Sequence, residues 1–475
     1  MSEAAAIAKR DAALCHLLDC SHLTPTHWRI WILSAMGIFL DGYDLFIISI
    51  ALPLIIRDLS PTPLLLGAIG SAAVIGAIFG AAIGGILTDR FGRKSIYIVD
   101  LFLFIIFSFC CGIAWDISSL IIFRLLLGVG VGADYPICAS YISEFMPVAL
   151  RGRMLIGAFA FQAVGMFAAA IVGLVTLFIY PDPSSWRWML ISGAIPAIIV
   201  LIARATVPES PRWYLGQGLF RQAASVICRI IPHKEDKIRD CVERQDKEPI
   251  NTIQEHSEFS ILFSKEYRKR TILATIPWFL MDIAMYGVGI FLPILLAGLL
   301  FTNKGGTGLD EIYQSIAGSA FLDIFLLAGF LLNMRYVDKI GRIKLQIYGF
   351  IGMTLGMLLI LMAWMSGSNI YLIFSGFIFF NLLLNLGPNA TTFILPVELF
   401  PTRVRGSAHG LASAVAKAGA AVGIFLIPIV QNIAGIGGVL VVIGIVSLAG
   451  LLVTVIFRIE TKGQSLDDID PGVFG

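Results

Sequence analysis

The amino-acid sequence predicts an all-α membrane protein in which twelve transmembrane helices form two pseudo-symmetric six-helix bundles, with both termini in the cytoplasm. Composition is the first indication. Of the 475 residues, 57% are hydrophobic and 14% are charged, against about 45–50% and about 25% in ordinary soluble chains. So little charge leaves no surface that would keep several soluble domains in water. The number of apolar runs and an internal repeat are the second and third indications.

The apolar runs define the predicted elements. A helix needs ~20 apolar residues to cross the hydrocarbon layer, and twelve runs of that length are separated by charged or turn-rich segments. We predict spans at residues 29–56, 64–87, 95–115, 117–142, 154–180, 186–206, 271–300, 311–334, 343–365, 369–396, 406–433 and 435–457. The predicted organisation is a cytoplasmic N-terminus (1–28), a six-helix bundle (29–206), a cytoplasmic central loop (207–270) with short amphipathic helices, a second six-helix bundle (271–457) and a cytoplasmic C-terminus (458–475).

The distribution of basic residues predicts the orientation. Short cytoplasmic loops accumulate Lys and Arg, and the loops predicted to lie outside hold only Arg57, Arg187 and Lys304 of the 34 such residues. Both termini and the central loop are therefore predicted to be cytoplasmic. The first 27 residues lack the pattern of a secretory signal, so the first span anchors the chain. We expect a multi-pass protein of the cell membrane, either a plasma membrane or a bacterial inner membrane.

Two sequence fragments recur in the two halves. Asp89-Arg-Phe-Gly-Arg93 follows span 2, and Asp338-Lys-Ile-Gly-Arg342 follows span 8. Glu-Phe-Met-Pro follows span 4 and Glu-Leu-Phe-Pro follows span 10, each with an Arg-Gly pair shortly after. The offsets of 249 and 254 residues indicate one duplication of six spans. An even number of spans gives both copies the same orientation, with a binding site expected at their interface near the midplane.

The repeated loops resemble the cytoplasmic signature of the major facilitator superfamily. Gly85 to Lys94 matches its G-x-x-x-D-R-x-G-R-K pattern, and Arg124-Leu-Leu-Leu-Gly and Pro208-Glu-Ser-Pro-Arg-Trp resemble its sugar-porter-like branch. The resemblance implies that these loops fasten the halves together on the cytoplasmic side, and we expect Asp89 to lie at a helix N-terminus. The implied cytoplasmic gate consists of Asp89, Arg90, Arg93, Glu144, Arg151, Asp338, Arg342, Glu398 and Arg405.

Polar residues inside the predicted spans are few, and each is a candidate functional group because burial in lipid is costly. Trp278, Asp282 and Tyr286 repeat every four residues and share one helix face. We interpret that face as a pocket wall, because Asp282 lies too deep for an interfacial belt. A buried arginine needs an anionic partner, and Arg124 lies at a depth compatible with Asp41 or Asp44 on the first span.

The same residues resemble the phosphate:proton symporters. Gly130-Val-Gly-Ala-Asp134-Tyr-Pro, Trp278-Phe-Leu-Met-Asp282 through Tyr286, and Asp41-Gly-Tyr-Asp44-Leu-Phe are similar to their signatures, as are Leu386-Gly-Pro-Asn389 and Lys417-Ala-Gly. Ala133 and Ile137-Cys138 depart from the pattern and would reshape the pocket. The resemblance implies substrate contacts from Tyr135, Gln162, Trp278, Asp282, Tyr286, Asn389 and Lys417. It implies proton coupling by Asp41 or Asp44 with Arg124, and by Asp134.

The predicted function is alternating-access import of inorganic phosphate with protons. We expect Asp134 and Asp282 to face one central hollow, where an ionised Asp282 accepts the hydroxyl donors of dihydrogen phosphate. Sulfate, with no such hydrogen, would meet an unpaired acceptor. Proton-coupled carriage of an organic anion or a sugar, and a transporter-like nutrient sensor, remain open alternatives.

Other classes of function are disfavoured by the sequence. The net charge of +2 offers no basic face for nucleic acid. The seven cysteines have no metal-ligand spacing, and neither H-E-x-x-H nor a nucleophile paired with a base is found. We therefore expect no enzyme activity, no metal and no cofactor. The expected partners are a small anion, protons and the lipid bilayer, and no obligatory protein partner is evident.

Overall fold

A computed structural model of the chain describes residues 14, 17–236, 238–239, 259–300, 309–367, 369–400 and 402–462. Helices account for almost all of these residues, and no strand occurs among them. Eleven helical stretches are long and apolar enough to cross a membrane. The last is about twice as long as one span, so the prediction of twelve spans is confirmed.

The helix bounds agree with the predicted spans to within a few residues. Spans 1 to 5 are Pro25–Leu59, Pro63–Phe91, Arg93–Gly112, Ile117–Phe145 and Val148–Ile179; span 6 is Trp186–Ser192 followed by Ala194–Arg204. Spans 7 to 9 are Arg268–Leu300, Leu309–Ile340 and Arg342–Met365; span 10 is Ile370–Leu386 followed by Pro388–Leu399; spans 11 and 12 share Thr402–Phe457. The central segment contributes the short helices Pro211–Gly216 and Phe220–Ile230, and the second buries one apolar face.

Helix ends and interruptions have local causes. Span 1 begins after Thr24, whose hydroxyl accepts from the His27 backbone N–H, and span 4 begins after Asp116, whose carboxylate caps the Ser119 N–H at 2.7 Å. Span 10 was predicted as one helix but is divided at Gly387, because Pro388 has no N–H and starts a new helix.

Spans 11 and 12 meet at a single glycine. The helix Thr402–Phe457 has 56 residues, which in a straight rod would extend about 84 Å, far beyond the ~30 Å hydrocarbon layer. Gly435 interrupts it with φ 66° and ψ −172°, a backbone conformation open to glycine but rarely to other residues. The chain reverses there, as the predicted boundary between residues 433 and 435 requires.

The packing repeats between the halves. Span 1 packs on span 5 as span 7 packs on span 11, and span 2 packs on span 4 as span 8 packs on span 10. Between the halves, span 1 contacts span 7, span 2 contacts span 11 and span 5 contacts span 8. When each span is replaced by its copy in the other half, the contact between spans 1 and 7 maps onto itself, and the contacts 2–11 and 5–8 map onto each other. The two bundles are therefore related by an axis that runs between them.

Small residues bring spans 2 and 4 close together. A Cβ atom on Gly128 or Gly132 would overlap the backbone of Ala73 or Ala77 on span 2, and one on Gly76 would overlap the Leu125 carbonyl. The glycine series before Asp134 therefore serves helix packing.

Candidate functional site

A buried polar cluster lies where the two halves meet. It contains six of the seven substrate contacts implied by the sequence, together with Asp41, and none of these residues is more than 7% exposed. Span 1 supplies Asp41, spans 4 and 5 supply Tyr135 and Gln162, and the second half supplies the rest. Its contributors from the second half are Trp278, Asp282, Tyr286 and Lys417. The seventh implied contact, Asn389, is buried on span 10, one turn before the Phe393 ring that contacts Trp278.

Lys417 is the cation at the centre of this cluster. Its Nζ donates to the Tyr286 hydroxyl at 3.2 Å and lies 3.9 Å from Asp41 Oδ2. The same nitrogen lies 4.4 Å from the centre of the Tyr135 ring, within the range of a cation–π contact. Because Asp41 and Tyr135 belong to the first half, Lys417 holds the halves together electrostatically.

Two acceptors beside Lys417 are left without hydrogen-bond partners. The amide nitrogen of Gln162 donates to the Tyr286 hydroxyl at 3.2 Å, but Gln162 Oε1 and Asp41 Oδ2 have no hydrogen-bond partner among the described residues. Buried polar groups are normally satisfied. A ligand carrying both hydroxyl donors and anionic oxygens would satisfy these acceptors together with the ammonium of Lys417.

The stripe on span 7 forms one wall of the cluster, as the four-residue spacing predicted. Trp278, Asp282 and Tyr286 are 4%, 3% and 6% exposed. Asp282 lies within electrostatic reach of both Lys417 and Asp41. On span 10, Asn389 Nδ2 donates to Asn385 Oδ1 at 2.7 Å, which fixes the orientation of the Asn389 amide.

An aromatic layer closes the cluster on one side. We call the side that carries the repeated loops the motif face. One to two helical turns nearer that face, Phe159 stacks on Phe393 at 4.6 Å and contacts Phe330 at 5.5 Å, between ring centres. Phe393 also contacts Trp278 and His409. The layer joins both halves, and the sequence reasoning missed it because these rings lie on five different spans and have no common spacing.

The halves also touch on the opposite side of the cluster. Ser49 Oγ on span 1 donates to the Gly289 carbonyl on span 7 at 3.1 Å. Gly67 on span 2 lies so close to span 11 that an added Cβ would be 2.6 Å from the Phe425 carbonyl oxygen. The cluster is thus enclosed from both membrane faces, which is the geometry of an occluded site.

Arg124 pairs with Asp44, one of the two partners considered from the sequence. Its two terminal nitrogens each donate to one Asp44 oxygen at 3.4 Å, and the arginine side chain is fully buried. This two-point contact is the geometry that a guanidinium favours with a carboxylate. The two aspartates of span 1 therefore have different partners, since Asp41 faces Lys417.

Asp134 lies apart from Asp282, contrary to the expectation of one shared hollow. Asp134 Oδ1 is 3.5 Å from Arg204 Nη2, and the Arg204 guanidinium also lies 3.3 Å from the centre of the Tyr97 ring. Asp134 lines a small cavity together with Asp41 and Asp100. Asp41 thus belongs both to this cavity and to the central cluster. The sequence reasoning missed the role of Arg204 because it stands at the end of span 6, where a solvated basic residue is common.

The repeated loops form matching ion pairs at the motif face. Arg93 contacts Glu144 at 3.3 Å in the first half. Arg342 makes a two-point contact with Glu398 at 2.8 and 3.0 Å in the second half, and also contacts Asp338 at 3.0 Å. Each of these pairs lies within one half. The side chains of Asp89, Arg90, Arg151 and Arg405 lie outside the described residues, so the gate as a whole stays a prediction.

Two glutamates, rather than Asp89, occupy helix N-termini at this face. Asp89 lies in the last turn of span 2. The carboxylate of Glu209 accepts from the backbone N–H groups of Arg93 and Lys94, both at 3.0 Å. Glu460 accepts likewise from Arg342 and Ile343. Carboxylates satisfy the unpaired N–H groups at such helix starts. In the sequence, the one sign that Glu209 and Glu460 correspond is their separation of 251 residues, which is close to the offsets of the repeated loops.

Comparison with known proteins identifies the family. Residues 30–472 match the sugar (and other) transporter family. The chain is 30% identical to low affinity inorganic phosphate transporter 3 of Petunia hybrida, over 98% of this chain and 95% of that protein. It is also 30% identical to low affinity inorganic phosphate transporter 4 of Medicago truncatula, over 95% of this chain and 93% of that protein.

A solved structure shares the fold. The xylose transporter XylE from E. coli, in a partially occluded inward open conformation, matches with a TM-score of 0.73 at 21% identity, over 93% of this chain and all of that chain. Twelve spans, duplicated loops and a polar cluster between the halves agree with these matches. The chain therefore belongs to the sugar (and other) transporter family of the major facilitator superfamily and is a multi-pass membrane transporter.

Proposed function

We propose that this chain imports inorganic phosphate together with protons by alternating access. The observation that carries the proposal is the enclosed cluster around Lys417, where an ammonium, the carboxylates of Asp41 and Asp282 and the unpaired acceptor Gln162 Oε1 meet between the halves. The names of the relatives, which describe inorganic phosphate transporters, support the choice of phosphate.

The cluster suits dihydrogen phosphate because that anion both donates and accepts hydrogen bonds. Lys417, Tyr286 and the amide of Asn389 supply donors or positive charge for its oxygens. Asp282 and Gln162 Oε1 accept from its hydroxyl groups. Sulfate has no hydrogen at neutral pH, so it would face Asp282 acceptor to acceptor. Such an unpaired buried contact costs about 1–3 kcal/mol or more, and this sets the expected selectivity.

The ion pair between Lys417 and Asp41 supplies the coupling between proton and anion. While Asp41 is ionised, it neutralises the lysine and competes with an incoming anion. A proton on Asp41 removes that competition and leaves the ammonium free for phosphate. Binding of the proton and binding of phosphate then favour each other, and thermodynamic linkage makes the effect equal in both directions. Asp134 adjoins Asp41 through their shared cavity, which gives the proton a second carboxylate near the motif face.

The contacts between the halves on the two sides of the cluster are the ones that separate during the transport cycle. We assign the motif face to the cytoplasm, with both termini and the 207–270 loop there, and residues 29–206 and 271–457 as the two bundles. The aromatic layer around Phe159 and Phe393 would open toward the cytoplasm. The contacts of Ser49 and Gly67 would open toward the outside. No covalent step is assigned to any residue, so the proposal is transport without enzyme chemistry.

The test is uptake by proteoliposomes. Purified protein in sealed vesicles should accumulate labelled phosphate when the outside is made acidic, and a protonophore should abolish the accumulation. Unlabelled phosphate should compete, whereas sulfate, aromatic acids and hexoses in equal excess should not. Empty vesicles and vesicles without a gradient are the controls.

Two results would contradict the proposal. Competition by a hexose or an organic acid, but not by phosphate, would assign the cluster to another substrate. Phosphate binding without uptake under any gradient would assign the chain to sensing.

A further inference from the structure

Span 8 contains a buried aspartate that the proposed cycle does not use. Asp323 lies near the middle of the helix Leu309–Ile340 and its side chain is 1% exposed. Neither carboxylate oxygen has a hydrogen-bond partner among the described residues. Asp44 and Asp134, by contrast, each face an arginine. Asp323 therefore stands out by its isolation.

Isolation makes the ionised form of this side chain costly. Removing a carboxylate from water costs several kcal/mol unless a cation or donors compensate for the loss. On the described parts of the spans that pack against span 8, no charged or titratable group acts on Asp323. Asp282 and Tyr286 of span 7 interact instead with Lys417. Span 5 presents the neutral amide of Gln162 at this depth. Asp323 is thus expected to hold a proton in the occluded state.

The surroundings of Asp323 along its own helix are polar. Ser315 and Ser319 precede it by two turns and one turn and are almost completely buried. Both hydroxyls donate to backbone carbonyls of their own helix, Ser315 to Glu311 at 2.8 Å and Ser319 to Ser315 at 3.0 Å. The lone pairs of these hydroxyls remain available. This polar face would admit water once the neighbouring spans separate.

A ladder of asparagines connects this region to the substrate cluster. Asn389 Nδ2 donates to Asn385 Oδ1 at 2.7 Å, and Asn385 Nδ2 donates to the Asn381 carbonyl at 2.9 Å. Asn381 Nδ2 then donates to the carbonyl of Leu322, the residue before Asp323, at 3.4 Å. A change of hydration or charge at Asp323 would therefore be transmitted to Asn389 through the contact between spans 8 and 10.

Span 8 also contacts the first half, and alternating access requires contacts between the halves to open. Span 8 packs on span 5 across the two halves, and Phe330, two turns from Asp323, contacts Phe159 in the aromatic layer. Separation of these two spans would bring water toward the buried face of span 8. Asp323 is enclosed in the occluded state and is placed beside an interface that opens.

We propose that Asp323 is a proton-binding site of the second half, loaded in the occluded state and released when spans 5 and 8 separate, with Asn389 as its link to the substrate. The inference rests on the proposed phosphate transport. It assigns one coupled proton to a residue outside the cluster around Lys417.

The experiment compares Asp323→Asn with the unmodified protein in proteoliposomes at zero membrane potential. An amide has nearly the shape of a neutral carboxylic acid, so the variant should fold and should exchange internal for external labelled phosphate within about threefold of normal. At a gradient of one pH unit each coupled proton contributes a factor of about ten to the steady-state accumulation ratio. Loss of one proton should therefore lower that ratio about tenfold. Asp310→Asn, the same change at the exposed start of the same helix, is the matched control and should change neither quantity.

The outcomes separate the two proposals. If the unmodified protein does not accumulate phosphate, the proposed function fails before the variant is considered. If it does, an unchanged accumulation ratio in Asp323→Asn overturns the assignment of this site. Failure of the variant to fold or to exchange also overturns it, because a neutral amide should replace a protonated acid. Infrared spectroscopy gives a direct readout, since the carbonyl band of a protonated carboxylic acid should be present in the unmodified protein and weaker in the variant.

Discussion

The buried aspartates of the two halves have different cationic partners. In the first half, Asp44 and Asp134 are each paired with a buried arginine of the same half, Arg124 and Arg204. In the second half, neither Asp282 nor Asp323 pairs with an arginine among the described residues, and Lys417 is within electrostatic reach of Asp282. A pair between two charges of one half is fixed by its geometry. A lysine shared between Asp41 and Asp282 can instead change its partner when a proton or an anion arrives.

This difference suggests different roles for the two halves in transport, with fixed ion pairs in the first and exchangeable contacts in the second. Arginine stays charged in proteins and favours a rigid two-point geometry with carboxylates, so the Arg124–Asp44 pair is held in one charge state. Lysine is a compact point charge on a flexible stem. Substrate chemistry is therefore concentrated in the second half, and Asp41 is the first-half carboxylate that extends into it, beside Tyr135 and Gln162.

The largest effect is expected from removing the charge on span 7. Asp282→Asn should abolish phosphate uptake, by at least about a hundredfold, because the amide presents hydrogen-bond donors where the phosphate hydroxyls need an acceptor. The fold should be retained, since the amide is isosteric. Uptake by proteoliposomes and thermal melting in detergent measure the two quantities. Asp310→Asn, at the exposed start of span 8, is the control and should behave normally. Concentrative uptake at the normal rate by Asp282→Asn would remove this residue from the mechanism.

Breaking an arginine pair should affect stability rather than substrate chemistry. Arg124→Leu leaves Asp44 buried without its cation, which costs about 3–5 kcal/mol of unfolding free energy. The double variant Arg124→Leu/Asp44→Leu removes both charges and should recover most of that loss. Chemical denaturation in detergent measures the difference. If the single variant is as stable as the unmodified protein, or if the double variant is no better than the single one, the pair does not stabilise the first half.

Periodicity and repetition account for the features that were predicted correctly from the sequence. Apolar runs of membrane length indicated the twelve spans, the four-residue spacing placed Trp278, Asp282 and Tyr286 on one buried face, and the duplicated loops indicated two related halves. Each of these features is local, or is a copy of a local feature. Even the reversal at Gly435 was placed correctly, because the residues around it separate two apolar runs.

What the sequence could not predict is how helices turn toward one another. Periodicity states which residues share a face but not which neighbour that face meets. Asp134 was therefore expected to face the same central hollow as Asp282, whereas packing turns it toward Arg204. The same limitation applies to the aromatic layer, whose rings come from distant spans. The division of Asp41 and Asp44 between Lys417 and Arg124 likewise depends on tertiary packing.

The smallest predicted effect tests the feature that the halves share. Glu209 and Glu460 each accept from two backbone N–H groups at the start of a span, span 3 in one half and span 9 in the other. Glu209→Gln and Glu460→Gln keep an acceptor but lose its charge, so each should lower the unfolding free energy by about 0.3–1 kcal/mol. The loss should be larger at Glu209, which is buried at 8% exposure, than at the more accessible Glu460. Glu311→Gln, in the first turn of span 8, changes the same charge at another helix start and calibrates the general dipole effect. Melting of the three variants side by side decides the point: if neither loop variant differs from the unmodified protein, the duplicated glutamates do not stabilise the helix starts that they contact.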